Sequence, residues 1–145
     1  MGLEAWAEAG WIRPHEADAR EIAELLAVAD RGLADAAIPE LSPDGRLGLI
    51  WPAVLALGAA ALAAEGYRAG KDRHHERVVD SLLYTVGLAQ AEVGALHRVR
   101  RLRNEMTYER IGTTTPGEAD RFIERTRELR AAVTTWLAHS HPDLR

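Results

Sequence analysis

One long stretch without charge constrains this chain more than any other feature. Residues 47–64 include no Asp, Glu, Lys, Arg or His over 18 positions, and a segment of this kind is normally removed from water. Its length would cross a bilayer, but Ala and Gly make up half of it and Pro52 lies inside, so its insertion into lipid would be weak. We therefore predict a buried core helix and no membrane span.

The signals around this stretch define its helix. Ser42 is a good N-cap and Pro43 suits the first helical position, while Gly66 predicts the end of the helix after Glu65. Pro52 is expected to kink or delay the helix, because it removes one backbone hydrogen bond and clashes with the preceding turn. Apolar residues at helical spacing predict further helices over residues 15–36, 78–83, 88–102 and 116–138.

These elements predict an all-α fold, a bundle of four to five helices in a single domain over residues 1–145. Residues 1–14 contain Trp6 and Trp11 and are expected to form either a short helix or an N-terminal arm that docks its aromatic rings. No alternating pattern of a β-strand competes with the helical spacing.

The amino-acid composition limits the kinds of site that the chain can form. The chain has no cysteine, which excludes disulfides and thiol catalysis and leaves a metal site only His and carboxylates. We predict no metal and no cofactor. The N-terminus has no basic region of a signal peptide, so we predict a cytoplasmic protein with no membrane partner. The net charge of −4 gives no general attraction to nucleic acid, so binding would need a local basic patch.

Such a patch occurs in residues 97–110, where five arginines oppose two glutamates. Guanidinium groups suit bidentate contact with phosphate. The alternative is a solvated face of an amphipathic helix, because the arginines alternate with Val99 and Leu102. The five arginines are Arg98, Arg100, Arg101, Arg103 and Arg110.

The string Arg103-Asn104-Glu105-Met106-Thr107-Tyr108, which follows a long helix and precedes a capped final helix, resembles the HEPN superfamily (higher eukaryotes and prokaryotes nucleotide-binding domains). The resemblance covers residues 25–137, mainly as helix order, and includes Gly66-Tyr67-Arg68 followed by His74-His75. It implies an up-and-down bundle of four or five helices that dimerises, so that two motif copies line one cleft. In active members the motif Arg and a downstream His cleave RNA without metal, and other members pair with small nucleotidyltransferases as toxin–antitoxin modules.

The sequence departs from that pattern at Tyr108, which stands where the family has His. Tyr has a pKa near ~10 and is a poor proton shuttle at neutral pH. The hydroxyl of Tyr108 could instead bind phosphate or accept a nucleotidyl group, its ring could stack on a base, or it could simply cap the core. With this departure, the resemblance implies Arg103 and Tyr108 as catalytic candidates. Candidates for RNA or nucleotide binding are Arg100, Arg101, Asn104 and His97.

Histidines offer two further alternatives. His97 is either a substitute base or a solvated side chain. His74 and His75 are adjacent and point about 100° apart on a helix, so they do not form a chelating pair, although one of them could line the motif cleft.

Two functions follow as hypotheses. The first is a HEPN-like toxin–antitoxin or defence-type protein that binds RNA or nucleotide phosphate and is a weak or degenerate, metal-independent ribonuclease. The second is a non-catalytic helical homodimer that binds a partner protein such as a small nucleotidyltransferase antitoxin. An RNA-cleavage assay separates the two.

Overall fold

The computed structural model describes residues 2–108 and 114–144, and the side chains of all of these except residues 106–108. The described chain is mostly helical, which confirms the all-α class. A short 3₁₀ turn, Pro142–Leu144, ends it. The elements are α1 Leu3–Glu8, β1 Ile12–Pro14, α2 Ala19–Ala36, α3 Pro43–Ala64, β2 Tyr67–Ala69, α4 His74–Ser81, α5 Gln90–Tyr108 and α6 Pro116–Ser140.

Helix α3 is the centre of the fold and carries the uncharged stretch. It packs against α2, α4, α5 and α6, and 72% of its most apolar window is buried. Although it is long and apolar enough to cross a membrane, it is the core helix that the sequence predicts. The Ser42 hydroxyl accepts a hydrogen bond from the Gly45 N–H at 3.0 Å, and Pro43 occupies the first turn. The helix begins there without delay and continues through Pro52, which is exposed.

Glycines allow two helices to approach α3 closely. A Cβ at Gly32 of α2 would lie 2.9 Å from the Leu49 carbonyl oxygen, and a Cβ at Gly58 of α3 would lie 2.7 Å from a Val78 methyl group. Both distances are shorter than real Cβ contacts, so a larger residue at either position would push the helices apart. The Gly58 contact fixes α4 against the core.

A two-stranded antiparallel ribbon contradicts the prediction that the fold contains no strand. β1 pairs with β2 so that Arg13 lies opposite Arg68. Two further bonds extend the ladder: the His15 N–H donates to Gly66 O at 2.8 Å and the Gly70 N–H donates to Trp11 O at 3.0 Å. Strands of three residues are too short to show alternation, so this pairing depends on tertiary contacts that the sequence pattern does not reveal.

The ribbon holds the N-terminal segment in place. The segment forms the short helix α1, and Trp6 and Ile12 are buried in a cluster with Leu62 of α3 and Val78 of α4. The predicted start of the next helix at residue 15 is wrong, because residues 15–18 have no helical conformation and α2 begins at Ala19. The N-cap there is Asp18, whose carboxylate accepts the Glu21 N–H at 2.9 Å.

The last three helices follow the predicted order. α4 ends at Ser81, and a series of turns leads to Gly87, whose φ of 81° requires a left-handed conformation that glycine adopts without strain. α5 then extends the predicted segment to Tyr108. The N-cap of α6 is Thr115, which accepts the Glu118 N–H at 3.1 Å.

Candidate functional site

The described part of the arginine-rich segment, residues 97–108, lies on α5, and its arginines do not form one surface. Val99 is 1% exposed and faces the core, so the arginines on either side of it turn in different directions. Arg98 donates from Nη2 to Glu118 Oε2 at 2.9 Å, at the start of α6. This bond lowers the pKa of the Glu118 carboxyl. Arg101 is exposed, while Arg100 faces α4.

A cleft opens between α5 and the start of α4. It has a volume of about 350 Å³ and is open to solvent. Five of its residues precede or begin α4, and two of the predicted binding residues, Arg100 and Asn104, form the α5 side. Arg101 and His97 do not line it. The lining residues are Lys71, Arg73, His74, His75, Glu76, Arg100 and Asn104, hereafter the α4–α5 cleft.

Positive charge dominates the α4–α5 cleft. Three cations, Lys71, Arg73 and Arg100, line it with Glu76 as the opposing carboxylate. Glu76 Oε2 lies 3.1 Å from Arg73 Nη2, and its Oε1 lies 3.8 Å from Arg100 Nη1. Glu76 therefore contacts one guanidinium group from each side of the cleft, Arg73 at the start of α4 and Arg100 on α5, without neutralising the whole set. The balance favours an anionic ligand.

The lowered pKa of His75 reflects, in part, the positive charge around the α4–α5 cleft. Burial lowers this pKa from its ordinary value, and the neighbouring His74, Arg103 and Arg100 lower it further. The His75 ring rests edge-on against Trp51, with ring centroids 5.6 Å apart. Arg103, the motif arginine, is thus close enough to the α4–α5 cleft to act electrostatically on a histidine that lines it.

Two other side chains, Asp80 and His97, hold Arg100 in place through successive hydrogen bonds. Asp80 Oδ1 lies 2.6 Å from His97 Nε2, and Arg100 Nε donates to His97 Nδ1 at 3.3 Å. This arrangement requires the neutral tautomer with the proton on Nε2, which donates to Asp80 and leaves the Nδ1 lone pair for Arg100. His97 is therefore neither a solvated side chain nor a wall of the cleft. It positions Arg100.

The N-terminus of α4 lies at the α4–α5 cleft. Its N-cap, Arg73, has φ 50° and makes no side-chain capping bond. The His74 ring instead contacts Gly70 O, with Nδ1 at 3.0 Å. Early N–H groups and the helix dipole favour an anion at such an N-terminus. The positive end of the helix dipole therefore adds to the positive charge of the side chains.

Some of the remaining predictions concern residues that line the α4–α5 cleft, and others concern residues that the structure does not describe. Both His74 and His75 line the α4–α5 cleft beside the motif residue Asn104. Lys71 and Arg73 were missed, although two basic residues in the loop just before a helix are a signal for an anion site. Tyr108 ends α5, but its side chain, like the whole of Arg110, lies outside the described residues.

Other chemistry at this site is limited. Among the described residues, no group of three or more His, Asp or Glu side chains could hold a metal ion. Comparison with protein-family models, with curated proteins and with solved structures found no match to this chain.

Proposed function

We propose that this chain is a HEPN-like protein of toxin–antitoxin or defence type that binds RNA or nucleotide phosphate in the α4–α5 cleft. The observation that carries the proposal is the meeting of Lys71, Arg73 and Arg100 around one open cleft in a chain of net charge −4. A local field of this kind attracts phosphate even though the whole protein is acidic.

The motif residues support the same site. Asn104 lines the α4–α5 cleft, and Arg103 acts electrostatically on His75 inside it. In the resemblance to HEPN proteins, Arg103 and Asn104 are the motif pair. The α4–α5 cleft is thus the surface where the motif and an independent set of cations coincide.

The roles within the proposed site differ from residue to residue. Arg100 binds phosphate, oriented by His97 and Glu76, and Lys71 and Arg73 add contacts from the opposite side. Tyr108 has no proton chemistry suited to neutral pH unless its pKa is strongly perturbed. Electrostatic stabilisation by arginines alone supports slow RNA cleavage at most. We therefore propose a binding protein whose ribonuclease activity is weak or lost.

The test measures affinity for a single-stranded RNA oligonucleotide by fluorescence anisotropy over a range of KCl concentrations. Three cations line the cleft and Arg103 is near it, and each phosphate contact adds about −0.7 to the slope of log K against log [salt] for a single strand. Four contacts give a slope of about −3. The double variant Arg100→Ala, Arg103→Ala should weaken binding and reduce the slope to about −1.5.

A matched control removes two arginines elsewhere. Arg20 and Arg127 form ion pairs with Glu24 and Glu124 on their own helices, α2 and α6. The variant Arg20→Ala, Arg127→Ala changes the net charge equally and should retain the wild-type slope. Equal affinity and slope in the wild type and the Arg100→Ala, Arg103→Ala variant would remove the α4–α5 cleft from consideration.

A further inference from the structure

A second cavity, of about 370 Å³, lies beside the α4–α5 cleft. It is bounded by the start of α2, the C-terminal end of α3, β2 and the start of α4. His74 belongs to the walls of both spaces, so a ligand held by phosphate in the cleft could reach the cavity past that ring. Ligand sites of this size usually combine apolar walls with a few polar groups that fix orientation.

Part of the wall of the second cavity is formed by small or apolar side chains, and His15, Glu21, Arg68 and His74 supply polar groups. Ala59 and Ala63 of α3 form one side, and Leu25 and Val78 close it from α2 and α4. Ala side chains leave room for a flat ring and offer it methyl contacts without crowding. Tyr67 contributes an aromatic ring at the β2 side. A planar aromatic ligand suits these walls better than a branched aliphatic chain does.

Backbone groups of β2 line the same cavity. In an antiparallel ribbon, residue pairs that share backbone hydrogen bonds alternate with pairs that do not. The bonds at Trp11–Gly70 and His15–Gly66 therefore make Arg13–Arg68 a hydrogen-bonded pair. The N–H and C=O of Tyr67 and Ala69 therefore turn away from β1. Successive side chains of a strand point to opposite faces of the sheet. All three residues of β2 line the cavity, so side chains on one face alone do not account for their contact with it. The cavity thus lies along the free edge of the strand, which offers donors and acceptors in one line.

A carboxylate faces this edge from α2. His15 Nε2 lies 3.0 and 2.8 Å from the two oxygens of Glu21, and the Glu21 side chain is 39% exposed. A carboxylate accepts about four hydrogen bonds, so Glu21 keeps capacity for a ligand while His15 fixes its orientation. Two adjacent N–H donors on one planar edge match two carboxylate oxygens.

We propose that this cavity is a nucleobase subsite selective for guanine, whose phosphate lies in the α4–α5 cleft. Guanine carries two adjacent N–H donors, on N1 and on the 2-amino group, which Glu21 accepts. The free edge of β2 binds the remaining ring atoms. The inference rests on the proposed function, which it extends from phosphate binding to base selection.

The test is calorimetric titration of the wild-type chain with inorganic phosphate, guanosine 5′-monophosphate (GMP), inosine 5′-monophosphate (IMP), adenosine 5′-monophosphate (AMP) and guanosine. Inosine lacks only the 2-amino group of guanosine. GMP should bind about tenfold more tightly than IMP, since a bond to a carboxylate is lost with the amine. Glu21→Gln should abolish most of that difference. Ala59→Leu, which fills the cavity, should reduce the affinity for GMP to that for phosphate.

The outcomes separate the subsite from the cleft. Arg100→Ala should weaken phosphate and GMP but leave guanosine unchanged. If phosphate binds but GMP and IMP bind with equal affinity, guanine selection is overturned while the proposed function stands. Tighter binding of AMP than of GMP would have the same consequence. Guanosine binding that is sensitive to Glu21→Gln, without any binding of phosphate or RNA, would overturn the proposed function and retain the subsite. If Ala59→Leu unfolds the protein, the comparison of GMP with IMP in Glu21→Gln decides.

Discussion

The contact between α3 and α4 predicts the effect of one added methyl group. In Gly58→Ala the new Cβ would lie 2.7 Å from a methyl carbon of Val78 and 3.1 Å from the Val78 carbonyl oxygen. Val78 is 2% exposed, so its side chain has little room to turn away, and its carbonyl belongs to the backbone of α4. Relief of the clash therefore requires α4 to move, together with the cleft residues at its start.

The magnitude follows from two opposing terms. Overpacking of a well-filled core costs about 1–3 kcal/mol, and we take about 2 kcal/mol for this contact. Ala stabilises a helix interior by about 1 kcal/mol relative to Gly. Gly58→Ala should therefore lower the free energy of unfolding by about 1 kcal/mol. Gly94→Ala on α5, where the Cβ meets nothing within 4 Å, should raise it by about 1 kcal/mol.

Urea unfolding followed by circular dichroism measures both free energies, and thermal unfolding checks them. The difference of about 2 kcal/mol between the two alanine variants corresponds to about 8 °C in Tm for a chain of this size. The comparison cancels the gain in helix propensity and isolates the packing clash. Equal stability of Gly58→Ala and Gly94→Ala would refute the close approach of α3 and α4.

Three further predictions concern catalysis, assembly and the support of Arg100. Generic RNA in the presence of a chelator should be cleaved slowly or not at all, with a modest gain in Tyr108→His; rapid wild-type cleavage that Tyr108→Phe abolishes would contradict this and make Tyr108 catalytic. The chain should sediment at about twice its mass of 15.9 kDa at micromolar concentration, as a two-fold homodimer, and a clean monomer would disprove the dimer. Asp80→Asn should weaken the bond to His97 and lower oligonucleotide affinity by about threefold, with a loss of stability of about 1 kcal/mol; unchanged affinity would show that the chain of side chains does not position Arg100.

Local signals predicted the helices well. The uncharged stretch, the Ser42-Pro43 start and the Thr115 cap each act within one turn or one face of a helix, so their effect is present in the sequence itself. The same holds for the burial of Val99 between Arg98 and Arg100. The predicted start of α2 at residue 15 was wrong because Asp18, three residues later, supplies the capping oxygen.

The site required information that the sequence does not hold. Lys71 and Arg73 lie about 30 positions before Arg100, and their meeting depends on how α4 packs on α3 and α5. The partner of Arg98 on α6 and the neighbours of His97 are likewise products of tertiary packing. Local charge predicted that α5 carries a basic surface, but it could not separate Arg100 and Asn104, which line the cleft, from Arg98 and Arg101, which do not.

The pKa of His75 offers the most direct test of phosphate binding in the α4–α5 cleft. Cationic neighbours and burial lower this pKa in the free protein, so the ring stays neutral to a lower pH than an ordinary histidine. A bound phosphate brings negative charge next to the ring and favours its protonated form. A pH titration by NMR, with and without a saturating single-stranded RNA oligonucleotide, measures the change.

We expect the oligonucleotide to raise the pKa of His75. We also expect Arg100→Ala, Arg103→Ala to raise this pKa in the free protein, because two of the charges that lower it are removed. The resonances of His141, which packs against Trp136, serve as the internal control. An oligonucleotide that binds while the pKa of His75 stays unchanged would contradict the assignment of the α4–α5 cleft as the phosphate site.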